Sequence, residues 1–374
     1  MNVRVDIVTD KSQLGSFVQF PYHHYRLDEN FVPPLIGEQM KLLNTERNIF
    51  WRKAERCLFL AYDADKKIKK VIGRIAAIVD NNYNEYYKKK TGYFGFFETE
   101  NHPDISNALF DAAIKWLKEK GMEDVIGPMN PSINDMAGLL VDAFNQPPVL
   151  MMPYNPKYYV DFIEGYGFKK VVDLYAYHTP VTPPPEKLAC LVPKLEKRGK
   201  FTIRKFNMKN LYEEVEIVRE LYNKFLVENY AFVPITKEEF ISLANELKMI
   251  ADPDLLFMAE VDGKAVGCSI TLPDMNQVLI KMNGRLFPFG IFKFLHYRKK
   301  IDGLRVIVMG VIEEYRKRGI DLAFYYHSFK NAYEKGYKNG EMSWIREDNI
   351  EMIKILDTLD AKIYKTYRLY KRDL

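Results

Sequence analysis

Dense apolar runs and spaced apolar stripes alternate along this chain. Cys57-Leu-Phe-Leu-Ala-Tyr and Val71-Ile-Gly-Arg-Ile-Ala-Ala-Ile-Val predict two strands joined by a charged turn. Gly92-Tyr-Phe-Gly-Phe-Phe predicts a third. The period then becomes helical: Ile105, Ala108, Leu109, Ala112, Ala113, Trp116 and Leu117 share one helix face, and Gly121 ends that helix. Asp124-Val-Ile-Gly resumes a strand.

The second half repeats this order. Leu255-Leu-Phe-Met-Ala-Glu-Val and Ala265-Val-Gly-Cys-Ser-Ile-Thr-Leu flank Asp262-Gly263-Lys264, a hairpin turn. Gln277 to Met282 reads as a further strand. Leu304 to Val311 is a strand, followed by a helix striped at Leu322, Tyr325, Tyr326, Phe329, Ala332 and Tyr333 and ended by Gly336. Glu341-Met-Ser-Trp-Ile is the next strand.

The two halves also close alike. Asn155-Pro156 predicts a helix start, with a helix to Gly165 or Gly167 and a strand from Phe168 to Tyr177. Asp348-Asn349 caps a helix striped at Met352, Ile355, Leu356 and Leu359, and Ile363 to Tyr370 is the closing strand. Between the halves, His178 to Lys200 holds Pro180, Pro183, Pro184, Pro185 and Pro193. Proline fixes φ and lacks a backbone donor, so this segment reads as a stiff connector. The expected plan is a duplicated α/β fold with mixed sheets: domain 1–180, linker 181–200 and domain 201–374.

Length agrees, since 374 residues make two domains at about 100–200 residues each. An apolar fraction of 47% excludes a largely disordered chain. A net charge of +5 gives no case for a dedicated nucleic-acid binder. Cys57, Cys190 and Cys268 form no disulfide framework and no Cys-x-x-Cys, and the six His show no metal spacing, so no metal is expected. The first residues lack the apolar core of a signal peptide, and no apolar run approaches the roughly 18–20 residues of a membrane span. The expected location is cytoplasmic, with a membrane-peripheral variant. Aromatic residues reach 14%, enough to fill cores and also to line a groove for a long apolar ligand.

The most chemical stretch is Val311-Ile-Glu-Glu-Tyr-Arg316-Lys317-Arg318-Gly319-Ile320-Asp321, between a strand and a helix. Backbone N–H groups point outward at such a junction, and the helix N-terminus carries about half a positive charge. With the three cations and a glycine that lets the backbone approach closely, this is a candidate pyrophosphate cradle. A basic turn that simply caps a helix has the same composition.

This loop, in its order of elements, resembles the GNAT acyltransferases. Their Arg/Gln-x-x-Gly-x-Gly/Ala signature is matched by Arg316 and Gly319, while the last small residue is Asp321 here. Longer stretches resemble the bacterial ceramide synthase-like (YghO-like) family. They are Asn30-Phe-Val-Pro-Pro-Leu, Gly73-Arg-Ile-Ala-Ala-Ile, Gly92-Tyr-Phe-Gly-Phe-Phe-Glu, Gly127-Pro-Met-Asn-Pro-Ser-Ile-Asn-Asp, Met151-Met-Pro-Tyr-Asn-Pro and Gly284-Arg-Leu-Phe-Pro-Phe-Gly. The resemblance implies two GNAT-like acyl-CoA N-acyltransferase domains in tandem. It implies acyl-CoA or acetyl-CoA as co-substrate, held by Met309, Val311, Arg316, Lys317, Arg318, Gly319, Ile320, Asp321 and Asn349. In some members a long acyl chain passes to a sphingoid base, so a small-molecule or lipid amine is the implied acceptor. The family's usual acid, a Tyr seven residues after the Asn, is Leu356 here. Glu98-Thr-Glu-Asn-His102 stands where the first half would need its phosphate loop, so only the second domain should hold CoA.

Acyl transfer needs a neutral amine, a proton acceptor and an oxyanion donor. Glu341, Glu347 and Glu228 are the candidate bases, and an N–H near Met309 to Val311 is the candidate donor. Asn130, Ser132, Asn134 and Asp135 read either as a polar wall on the substrate side or as a helix-capping loop. Arg285, Phe287 and Phe289 are further substrate-side candidates. They belong to Lys281–Lys300, which has six basic residues, five aromatics and no acid. That composition suits an anionic membrane surface or a buried helix with snorkelling cations. Lys66–Lys70 and Lys88–Lys90 read as solvated turns. The expectation is an acyl-CoA-dependent N-acyltransferase. A non-catalytic binding or regulatory protein on the same fold is the alternative.

Overall fold

The computed structural model describes residues 1–66 and 70–374. The middle of the Lys66–Lys70 turn lies outside the described residues. The chain packs into two compact units that cut across the linear division at 181–200. Unit 1 comprises Met1–Leu174, Val278–Arg298 and Lys365–Leu374, and unit 2 comprises Tyr175–Gln277 and Lys299–Tyr364.

Unit 1 begins with β1 (Val3–Ile7), β2 (Ala54–Asp63), β3 (Val71–Asp80), β4 (Thr91–Thr99) and β5 (Asp124–Gly127). β1 to β4 pair antiparallel in order, and β5 lies parallel to β4. β6 (Met129–Asn130) and β7 (Met136–Ala137) form a small separate hairpin, followed by β8 (Leu139–Leu140) and β9 (Lys169–Pro180). The helix Pro103–Glu119 covers the sheet. His102 caps it, proline occupies its first position, and its stripe buries Ile105, Leu109, Ala113 and Leu117. Leu109 and Leu117 have no exposed surface, and burial of each stabilises by roughly 2 kcal/mol.

Unit 2 contains β10 (Phe201–Lys205), β11 (Leu256–Val261), β12 (Lys264–Pro273), β13 (Gly303–Val311) and β14 (Asn339–Arg346), and the chain ends in β15 (Lys362–Asp373). β10 to β13 pair antiparallel in order and β14 lies parallel to β13, the plan of unit 1 again. Asp262 and Gly263 both have positive φ, as a two-residue hairpin turn requires.

The closing strands are exchanged. In unit 1 the neighbour of β5 is the end of the chain: Tyr370 pairs with Gly127 and Asp373 with Asp124. Arg368 of that strand is bidentate to Asp173, at 2.7 and 3.0 Å. In unit 2 the neighbour of β14 is β9, a strand of the first half.

Three local expectations are corrected. Pro183–Pro185 are non-helical, but Glu186–Gly199 is a helix with Val192 in the core of unit 2, so most of the connector is structural. Gln277–Met282 is not a strand. Asp274 accepts the N–H of Asn276 at 3.1 Å, and this side-chain turn starts the short helix Asn276–Leu279 instead. Asn155 does not cap a helix. Its carboxamide bonds both the N–H and the C=O of Leu140, and the helix begins at Tyr158.

Candidate active site

In unit 2 the parallel ladder between β13 and β14 runs from Gly303 and Asn339 to Val306 and Met342, and stops there. β13 continues to Val311 and β14 to Arg346. The two strands therefore part toward their C-terminal ends. Val306 to Gly310 are half-buried along this open edge, Met309 among them, and Val311 is buried.

The basic loop follows directly. Gly319 has φ +85° and precedes the helix Ile320–Glu334, with Ile320 buried as its first residue. The positive φ of Gly319 favours glycine, and a Cβ there would lie 2.8 Å from a terminal methyl of Leu195, which would have to shift. Arg316 turns its Nε to the carbonyl of Val311 at 3.3 Å and its Nη1 to Glu228 at 4.0 Å. Arg318 stacks 4.6 Å over the ring of Tyr315. Lys317 is exposed, with Nζ 3.5 Å from Glu351. Asp321 sits in the first turn of the helix, where the positive end of the dipole favours a carboxylate. Asn349 caps the helix Ile350–Thr358, its side chain accepting the N–H of Met352 at 3.2 Å.

The three candidate bases separate. Glu341 is buried. It lies 3.8 Å from Arg305 and accepts hydrogen bonds from Ser343 Oγ at 2.5 Å and from the Tyr364 hydroxyl. Glu228 is exposed at the loop, and its carbonyl accepts from Arg346. Glu347 follows Arg346, whose guanidinium grips Asp348 and holds that carboxyl below its ordinary range. Loop cations, Glu228 and the end of β14 thus gather at one mouth, while Glu341 lies in the interior. Leu356 is fully buried against Tyr325 and Met342.

Unit 1 shows the same parting with different contents. The β4–β5 ladder stops at Tyr93 and Ile126. Beyond it the Asn130 carboxamide accepts the N–H of Phe96 at 2.5 Å, and Gly95 packs onto the carbonyl of Met129 with no room for a Cβ. Ser132 donates to Asp135 at 2.6 Å, and the N–H of Asn134 donates to Ser132 at 3.2 Å. The substrate-side candidates Asn130, Ser132, Asn134 and Asp135 therefore bond within their own unit. Arg285, Phe287 and Phe289 lie on an exposed segment of that unit.

Sequence reasoning missed a buried cluster in unit 1. Glu98, treated above as a phosphate-repelling residue, accepts from Tyr25 at 2.5 Å and Tyr159 at 2.9 Å, with Arg74 at 3.8 Å. Burial pushes the Glu98 carboxyl up, against the pull of Arg74 and the two phenols. His24 stacks on Phe20, and its Nε2 lies 3.2 Å from the Tyr158 hydroxyl. Burial pushes this imidazole down to about 4. No local motif announces the cluster, because its members come from four separate elements. Among the described residues no group of three or more His, Cys, Asp or Glu is placed to hold a metal, and no helix is long and apolar enough to cross a membrane.

Two units that each carry a parallel pair parting beside a strand-to-helix turn define a tandem GNAT fold. The chain superposes on the tandem GNAT protein from the clavulanic acid biosynthesis pathway with a TM-score of 0.57, at 11% identity, covering all of this chain and 98% of that one. A GCN5-related N-acetyltransferase from Sphaerobacter thermophilus gives 0.55 at 13% identity, covering 99% and 95%. In sequence the chain is 35% identical to protein YghO of Escherichia coli, over 98% of this chain and 94% of that protein. It is 32% identical to the bacterial ceramide synthase of Caulobacter vibrioides, over 98% and 96%. It therefore belongs to the family of these two proteins. No family-wide sequence model matches it.

Proposed function

We propose that this protein is an acyl-CoA-dependent N-acyltransferase whose acceptor is a lipid amine of the sphingoid type. The observation that carries the reading is the parted β13–β14 pair ending at a Gly319 helix start with three cations. Arg316, Lys317 and Arg318 would hold the pyrophosphate with the first N–H groups of the helix. The pantetheine arm would lie along the open edge of β13. A backbone N–H near Met309 to Val311 would take the developing oxyanion. The amine nitrogen forms a bond to the thioester carbon, the carbon–sulfur bond breaks, and the thiolate leaves to be protonated. Glu228 or Glu347 at the mouth would accept the amine proton. The name of the Caulobacter vibrioides relative supports the sphingoid-type acceptor.

The same geometry supports a single CoA site, in unit 2. Asn130 and Met129 fill the corresponding opening of unit 1. Titration calorimetry with acetyl-CoA and palmitoyl-CoA tests the reading. Binding is expected to weaken at least about tenfold in Arg316→Ala/Arg318→Ala, the loss of two charge-assisted contacts. No heat with either ligand at millimolar concentration would overturn it. Binding without CoA release in the presence of any long-chain amine would favour the non-catalytic reading instead, which the burial of Leu356 at the family's usual acid position supports.

A further inference from the structure

The segment from Lys281 to Tyr297 is anchored in unit 1. The carbonyl of Gly284 accepts the N–H of Ile36 at 3.0 Å, and Gly284, at φ +72°, packs against the ring of Tyr22. What it presents outward is unusual. Phe287, Phe289 and Phe292 are 72%, 74% and 68% exposed, and Leu295 is 51% exposed. Phe289, Phe292 and Leu295 lie three residues apart, on one face of the helix Gly290–Tyr297 and its first turn. Ile291 and Phe294, on other faces, are half-buried. A row of exposed rings of this size is a binding surface rather than random surface apolarity.

Charge indicates what covers it. Lys281, Arg285, Lys293 and Arg298 are exposed around the rings, and no acidic residue occurs between Lys281 and Ile301. Beside the rings lies a cavity of about 620 Å³ lined by Tyr22, His23, Arg285, Phe287, Phe289 and Lys293. Two copies meeting through this face would bring two basic rims together, which costs energy. An anionic bilayer answers both halves of the pattern: the rings enter the acyl boundary and the cations meet the headgroups.

We propose that this face docks the protein on an anionic lipid bilayer, with Phe287, Phe289 and Phe292 inserted and a lipid phosphate seated between Arg285 and Lys293. The exposure of these rings corrects the buried-helix reading of Lys281–Lys300, and the proposal is independent of the acyl-transfer chemistry. Sedimentation with phosphatidylcholine vesicles, with and without phosphatidylglycerol, tests it. The expected result is at least about tenfold stronger binding to the anionic vesicles. Phe287→Ser/Phe289→Ser/Phe292→Ser should lose about tenfold or more at an unchanged melting temperature. Hydrogen exchange of residues 285–297 in the unaltered protein should slow on adding anionic vesicles, a readout that needs no variant. Absence of vesicle binding, equal binding to neutral vesicles, or full binding by the triple variant would overturn the proposal. So would light scattering that finds a dimer dissolved by the same three substitutions.

Discussion

The Asn130 carboxamide oxygen accepts the backbone N–H of Phe96 at 2.5 Å, on the part of β4 that β5 leaves unpaired. In unit 2 the β13–β14 ladder likewise stops, at Val306 and Met342. Unit 1 thus fills with its own side chain the opening that follows its ladder. Asn130→Ala should leave a buried donor unsatisfied and cost about 1–3 kcal/mol of stability. CoA affinity should be unchanged, with one CoA bound per chain. Chemical denaturation and calorimetric stoichiometry check the two halves of this expectation, and a stoichiometry of two would defeat the second.

Asp321 is the departure from the family's phosphate-loop pattern, and its place in the first helical turn explains why the fold tolerates it. The dipole favours the carboxylate, but a bound pyrophosphate would be repelled by it. Asp321→Asn should therefore tighten CoA about two- to fivefold at low ionic strength, with the gain shrinking in salt. Gly319→Ala should do the reverse, since φ +85° opposes a side chain and Leu195 would have to move. Paired titrations at two salt concentrations separate the charge effect from the shape effect.

Much of this was legible locally. The Asp262-Gly263 hairpin, the stripe from Ile105 to Leu117 and the Asn349 cap each depend on neighbours within a few residues, and each formed as expected. The strand exchange was not legible, because β9 and β15 are both Tyr-rich strands that alternate apolar and polar residues, a pattern that can close either sheet. Nor was the use of Asn130, whose partner Phe96 is 34 residues away. The exposure of Phe287, Phe289 and Phe292 escaped composition too, since a Phe-rich basic segment reads the same whether its rings face the core or water.

Glu341 looks like a base from its strand position, but its surroundings assign it to stability. It is 2% exposed, with Arg305 at 3.8 Å and hydrogen bonds from Ser343 and Tyr364. Removing one charge of a buried pair costs about 3–5 kcal/mol. Glu341→Gln should lower the melting temperature markedly, while Glu228→Gln and Glu347→Gln should leave it in place and change the pH profile of turnover. A normal melt for Glu341→Gln with turnover abolished would return Glu341 to the chemistry.

His24 should make unit 1 sensitive to acid. Burial is the main cause that holds its folded-state value at about 4, below the ordinary 6.5, and Arg74 adds to it. Between those values the unfolded chain binds a proton that the folded chain refuses, so stability rises with pH across that window. The contribution is therefore fully present above about 6.5 and is lost as the pH falls toward 4. It is on the order of 3 kcal/mol. His24→Gln, which keeps a polar group near Tyr158 but cannot take up the proton, should flatten this part of the stability curve. Denaturant melts from pH 4 to 8 measure the slope. An equal slope in the variant would place the acid sensitivity elsewhere, with Glu98 excluded by sign: a carboxyl pushed up by burial favours the folded state as the pH falls.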